Sequence, residues 1–221
     1  MIKGIIFDMD GLLVDSEPLW RKAEVAIFNP LGVPLTEEMC IQTMGLRIDE
    51  VVTYWHARYP WESPSKEAVV EQIVAAVEAL MLAEGKPMPG VQAIIDLFRK
   101  KGLHLAVASS SYKRLIYACL RAFELEDYFT VIHSAEDEPF GKPHPGIYLT
   151  ALKKLGLAAH ECLALEDSPN GMLAAVAAGI PTIVVPEAST FDDPRFEKAT
   201  LKLSSLEDFT EHHFQTLSNR S

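Results

Sequence analysis

From residue 90 onward, short apolar runs alternate with helical stretches, and this alternation leaves little choice of fold. The runs lie at 103–108, 129–133, 162–165 and 182–185. Their length and β-branched content suit buried strands. Helical patterns at 91–100, 112–123, 146–155 and 170–178 fall between or beside them. Strand and helix in alternation imply an α/β fold: a Rossmann-like parallel sheet with helices on both faces.

The first apolar run, residues 2–7, breaks the pattern. No second strand follows it for more than one helix length. Residues 17–29, 36–43, 48–59 and 65–84 all read as helix instead. Ser65, after Pro64 and with Glu67 and Glu71 nearby, has the character of a helix start. The stretch ends in Lys86-Pro87-Met88-Pro89-Gly90, a stiff, punctuated linker. The expected organisation is an α/β core of residues 1–15 and 87–221, carrying an inserted all-helical cap of residues 16–86. An insertion of about 70 residues on two linkers can open and close over a site.

Charge narrows the possible partners. The 221 residues carry a formal net charge of -11, which argues against nucleic acid and anionic membranes. Phosphorylated substrates remain open, because a bound metal ion can reverse the local sign of charge. Cys40, Cys119 and Cys162 are odd in number, far apart and without metal spacing, so neither a disulfide framework nor a zinc site is expected. The apolar start is too short for a signal peptide or a membrane span, and no later run is long enough to span. The expectation is a cytoplasmic, monomeric protein with a small phosphorylated metabolite as its partner.

In open parallel sheets, ligands bind beyond the carboxyl ends of the strands. The residues just past the apolar runs are Asp8-Met9-Asp10-Gly11, Ser109-Ser110-Ser111 and Glu166-Asp167-Ser168, and the third run leads to Gly141-Lys142-Pro143. Each segment has a plainer reading by itself: a turn, a helix cap, a solvated lysine, a cap with proline in the first helical turn. All four at strand ends suit phosphoryl transfer. A carboxylate can attack phosphorus and hold the phosphoryl group. A second carboxyl can protonate the leaving alkoxide and then take a proton from water. Mg²⁺ prefers oxygen ligands, and a lysine with hydroxyl and backbone donors neutralises phosphoryl oxygens. Serine hydrolase chemistry is not indicated, since no Gly-x-Ser-x-Gly occurs.

These segments resemble, in order, the four motifs of the haloacid dehalogenase-like phosphatase superfamily. They read Phe7-Asp8-Met9-Asp10-Gly11-Leu12-Leu13-Val14-Asp15-Ser16, Val107-Ala108-Ser109-Ser110-Ser111, Gly141-Lys142-Pro143-His144-Pro145 and Leu165-Glu166-Asp167-Ser168-Pro169-Asn170-Gly171. The helical insertion sits where the β-phosphoglucomutase-like subgroup has its helical cap. The resemblance implies a Mg²⁺-dependent phosphatase working through an aspartyl-phosphate. It implies Asp8 as nucleophile and metal ligand, and Asp10 as general acid/base with its backbone carbonyl on the metal. It implies Ser109, Ser110 and Lys142 as phosphate binders, and Asp167 and Glu166 as metal ligands.

A phosphomutase and a non-catalytic phosphosugar-binding module are the alternatives. The complete set of acid, nucleophile and metal ligands disfavours the binding module. The mutases carry a histidine at the position of Trp20, and an indole cannot relay a proton as imidazole does. Water is therefore the expected acceptor. The strings 15–20, 45–49, 193–196 and 202–206 resemble bacterial sugar phosphatases that act on 2-deoxyglucose 6-phosphate and on hexitol phosphates. This implies hexose or hexitol phosphates as substrates. Arg47, in the cap, has two readings: it reaches the sugar hydroxyls, or it is an ordinary surface arginine of the cap.

Overall fold

The computed structural model describes residues 1–219. Its strands are β1 (Gly4–Phe7), β2 (His104–Ser109), β3 (Val131–Ser134), β4 (Cys162–Glu166), β5 (Thr182–Val184) and β6 (Leu201–Lys202). Its helices are α1 (Glu17–Phe28), α2 (Glu37–Cys40), α3 (Ile48–Arg58), α4 (Lys66–Glu84), α5 (Val91–Lys100), α6 (Lys113–Ala122), α7 (Gly146–Leu155), α8 (Pro169–Ala177) and α9 (Glu211–Ser218). The strands form one parallel sheet in the order β3-β2-β1-β4-β5-β6. β1 is central, and the chain moves outward from it first to one side and then to the other. The crevice between β1 and β4 is the switch point at which such sheets bind ligands.

The strands are continuous apolar runs because both faces of the sheet are covered. Every residue of β1 and of β4 is buried. α5 shows how a covering helix is coded. It buries Val91, Ile94, Ile95 and Phe98, a single stripe at helical spacing. Phe98 meets Phe7 of β1 on one side and Phe209 on the other. The 19-residue α4 buries Val69, Val70, Ile73, Val74, Val77 and Met81, and packs against α1, α3 and the α6 helix of the sheet layer. Burial of each such aliphatic side chain contributes roughly 1.5–3 kcal/mol. Ser65 caps α4, its hydroxyl accepting from the Ala68 amide.

β6 and α9 are not evident from periodicity. β6 has two residues, too few for any pattern. Within the strings 193–196 and 202–206, Phe196, Leu203 and Leu206 are buried. Cys40, Cys119 and Cys162 are buried and unbonded to one another. Among the described residues no helix is long and apolar enough to cross a membrane.

Candidate active site

Strand register brings the acidic residues together. Phe7 pairs with Leu165 on one side and Val107 on the other. Asp8, one step on, therefore faces Glu166 at the end of β4, and its amide donates to the Leu165 carbonyl at 2.9 Å. The chain then turns at Gly11 (φ +70°), where an added Cβ would lie 2.1 Å from Asp167 Oδ2. Only glycine lets the loop after β1 lie this close to the loop after β4.

Beneath the loop is a buried charge cluster. Asp8, Glu166 and Asp167 offer carboxylate oxygens that all lie within 4.8 Å of one another. The Lys142 ammonium, wholly buried, is 3.0 Å from Asp8 Oδ1 and 2.7 Å from Glu166 Oε1. Glu166 also accepts from the Tyr148 hydroxyl, the Asp167 amide and the Ser168 hydroxyl, so both of its oxygens are occupied. Asp8 Oδ1 differs: among the described residues it receives no aligned hydrogen bond, although the ammonium is at contact distance. Burial, then the Glu166 charge, push the Asp8 carboxyl up to about 7 against the pull of Lys142. Burial, then Glu17 and Asp8, push Asp167 well above the usual carboxylate range. Burial by itself would lower Lys142, but Asp8 and Glu166 overrule it and hold the ammonium charged.

Three carboxylates against one ammonium leave negative charge uncompensated. A divalent cation with oxygen ligands fits that imbalance and the unbonded Asp8 oxygen. Asp8, Glu166 and Asp167 are the carboxylates of this cluster that could hold it, and Glu166 also binds Lys142 and Tyr148 through Oε1.

Asp10 stands apart from the cluster. Its Oδ1 accepts from the Ser16 hydroxyl at 2.7 Å and the Trp20 indole at 2.9 Å. Its Oδ2 accepts from Ser111 at 2.6 Å and, more weakly, from Ser109 at 3.4 Å. The Ser109 hydroxyl also accepts from the Ser111 amide. The Ser110 hydroxyl donates to the Gly45 carbonyl at 3.0 Å. Its hydroxyl proton is thus directed at the loop before α3.

Arg47 is held by the segment after β3. Its guanidinium does not line the cleft. It donates to the Ala135 and Glu138 carbonyls at 3.3 and 2.9 Å, and to Asp49 at 3.2 Å. Arg47 is the N-cap residue of α3, and its side chain runs along the segment after β3 instead of over the site. The cleft above Asp8 is about 630 Å³ including its open mouth, and α1 supplies one wall through Glu17, Trp20, Arg21 and Glu24. Sequence reasoning did not find Ser16, Ser111, Tyr148 or Glu24. Ser16 and Ser111 lie inside motif segments and were available there; Tyr148 and Glu24 sit on helices and look like ordinary helix residues.

Comparison with known proteins agrees with this geometry. Residues 5–185 match the family described as haloacid dehalogenase-like hydrolase. Hexitol phosphatase B of Escherichia coli K12 is 45% identical over 210 residues, covering 95% of each chain. The phosphorylated carbohydrates phosphatase of Thermotoga maritima is 32% identical, covering 82% of this chain and 84% of its own. Among solved structures, a variant of CbbY from Rhodobacter sphaeroides in complex with xylulose-(1,5)bisphosphate superposes with a TM-score of 0.83 at 30% identity, covering 94% of this chain and 96% of its own. The sheet, the buried acidic cluster and these matches lead to one conclusion: the chain is a phosphatase that belongs to the haloacid dehalogenase-like hydrolase family.

Proposed function

We propose that the protein hydrolyses hexose and hexitol monophosphates through an aspartyl-phosphate on Asp8, with Mg²⁺ as cofactor. The observation that carries this reading is Asp8 itself. It is a buried carboxylate with one oxygen free of aligned donors, set between Lys142 and Asp167 and facing a cleft that also holds Asp10. Similarity to a hexitol phosphatase and a carbohydrate phosphatase supports the substrate class.

In the first half-reaction an Asp8 oxygen attacks phosphorus and the bond from phosphorus to the ester oxygen breaks. The departing alkoxide takes a proton from Asp10. In the second half, water attacks the acyl phosphate and gives its proton to Asp10. The bond from phosphorus to Asp8 then breaks, releasing inorganic phosphate and regenerating the carboxylate. Lys142 balances charge on Asp8 and on the phosphoryl oxygens. Trp20 fixes Asp10 Oδ1 with a donor that cannot reverse. The proton then cycles on Oδ2, whose neighbours are serine hydroxyls free to turn. Asp8 and Asp167, with Glu166 beside them, would hold the Mg²⁺, which would supply positive charge at the phosphoryl group and favour the ionised carboxylates. Glu166 keeps Lys142 in place, and Ser109 joins Lys142 at the phosphate. Residues 16–86 act as a cap body over the core of 1–15 and 87–221.

Trp20 argues for water over a second sugar as acceptor, because an indole donates only. A panel of phosphorylated metabolites with Mg²⁺ tests the reading. Hexose and hexitol monophosphates should rank first with release of inorganic phosphate; isomerised sugar phosphate without free phosphate would indicate a mutase.

A further inference from the structure

Glu24 is the feature of the cleft that the proposed chemistry leaves unused. It is only 7% exposed, and its Oε2 has no hydrogen-bond partner among the described residues. An unpartnered carboxylate oxygen out of water carries its full desolvation cost. A ligand donor placed against it would remove that cost. Glu24 lies on the same face of α1 as Trp20, one turn or about 6 Å farther along. Trp20 reaches Asp10, where the leaving oxygen must be protonated. Glu24 thus lines the cleft one helical turn away from the residue that binds Asp10.

The charges around it point to the ligand class. The cleft is lined by Glu17 and Glu24 as well as Asp8, Asp10 and Asp167. Arg21 lines it too, but both of its terminal nitrogens bind the Glu187 carboxylate at 2.9 Å. Lys142 lies under Asp8, bound to Glu166. Among the described residues, no cation on this wall of the cleft is free for a second anionic group. Hydroxyls, which donate, would meet acceptors there.

We propose that Glu24 is a specificity-determining residue, accepting hydrogen bonds from hydroxyls at the remote end of a polyol monophosphate, while the acidic wall it belongs to rejects bisphosphates and phosphorylated acids. This rests on the proposed hydrolysis of sugar and polyol phosphates at Asp8. The site would differ in that respect from the CbbY relative, which was solved with a bisphosphate.

The test compares wild type, Glu24→Gln and Glu24→Asp, each with Mg²⁺, each checked by a melting curve, and each assayed at about pH 9, where the Glu17 and Glu24 carboxyls, which burial pushes up to about 8 and about 7, are both ionised. Substrates are sorbitol 6-phosphate, fructose 6-phosphate, fructose 1,6-bisphosphate and p-nitrophenyl phosphate. Glu24→Gln should lower kcat/KM for sorbitol 6-phosphate by about 10-fold, the loss of one hydrogen bond to a charged acceptor, and leave p-nitrophenyl phosphate within about twofold. Glu24→Asp, which keeps the charge but withdraws it, should show the same pattern. Wild type should prefer fructose 6-phosphate to its 1,6-bisphosphate by at least about 10-fold, and Glu24→Gln should narrow that ratio. Equal losses on sorbitol 6-phosphate and p-nitrophenyl phosphate, or no loss on either, would overturn the role of Glu24 while leaving the substrate class standing. A wild type that turns over p-nitrophenyl phosphate but no sugar or polyol phosphate would overturn both.

Discussion

The proposed attack needs Asp8 ionised, yet burial pushes its carboxyl up to about 7. Lys142, 3.0 Å away, works against that, and a bound cation would do so further. Asp8→Asn should therefore end turnover while leaving the fold intact or slightly firmer, since it removes one of three crowded like charges. Steady-state kinetics beside a thermal melt check this; substantial activity in a folded variant would remove Asp8 as nucleophile. Glu24 permits a prediction with a definite sign. Burial holds its carboxyl at about 7 against an ordinary 4.5, although the nearby Cys40 thiol and the Arg21 charge pull it down. The folded protein keeps a proton that the unfolded chain releases between those values. The stability this group contributes is complete below about pH 4.5 and is lost as pH rises through about 7. Glu24→Gln has no such loss. Relative to wild type it should gain roughly 1–3 kcal/mol of stability between about pH 5 and pH 8. Urea denaturation at both pH values measures this, and a constant difference would place the Glu24 carboxyl at its ordinary value.

The loop entering α3 ties the helices of residues 16–86 to the sheet layer through a run of hydrogen bonds. Met44 accepts from Asn170, Gly45 accepts from Ser110, Arg47 reaches the carbonyls of Ala135 and Glu138, and Glu50 accepts from the Gly141 amide. These partners lie beyond β2, β3 and β4 and in the Lys142 loop, so one short segment gathers the whole rim of the site. Arg47 therefore acts on the shape of the cleft and not on one substrate group. Arg47→Ala removes charge-assisted bonds worth about 1.5–3 kcal/mol each. It should lower kcat/KM for sorbitol 6-phosphate and p-nitrophenyl phosphate by similar factors and speed proteolytic cutting within residues 44–50. A loss confined to the sugar substrate would instead put Arg47 in contact with sugar. On α1, Trp20→Phe keeps the ring and deletes the bond to Asp10. It should cost about 5–10-fold in kcat, with little change in KM, as expected for one hydrogen bond of about 1–1.5 kcal/mol. An unchanged kcat would show that Asp10 is held well enough by the three serines.

At the scale of the whole molecule, the net charge of -11 and the buried acidic cluster make metal dependence the property most easily measured. EDTA should abolish activity, and Mg²⁺ should restore it and raise the melting temperature. Ca²⁺, which takes more ligands at longer distances, should bind without restoring turnover. Full activity in Ca²⁺ alone, or in EDTA, would contradict the proposed site. Much of this was legible in the chain itself. Parallel strands share one carboxyl edge, so the residue after each apolar run is at that edge whatever the rest of the molecule does. This is why Asp8, Ser109, Glu166 and Asp167 were identifiable from local sequence, and why the helix stripe of α5 could be read before its partners were known. Periodicity is a property of the backbone and needs no knowledge of neighbours. What it cannot carry is the direction of a side chain across the gap between two elements. Tyr148 reaches Glu166, Ser110 turns to Gly45, and Arg47 binds the segment after β3 because of how helices and loops pack on the sheet. Glu24 looks in sequence like any charged residue of a helix. Only the docking of α1 beside the site buries it, leaves one oxygen without a partner and turns it toward the cleft.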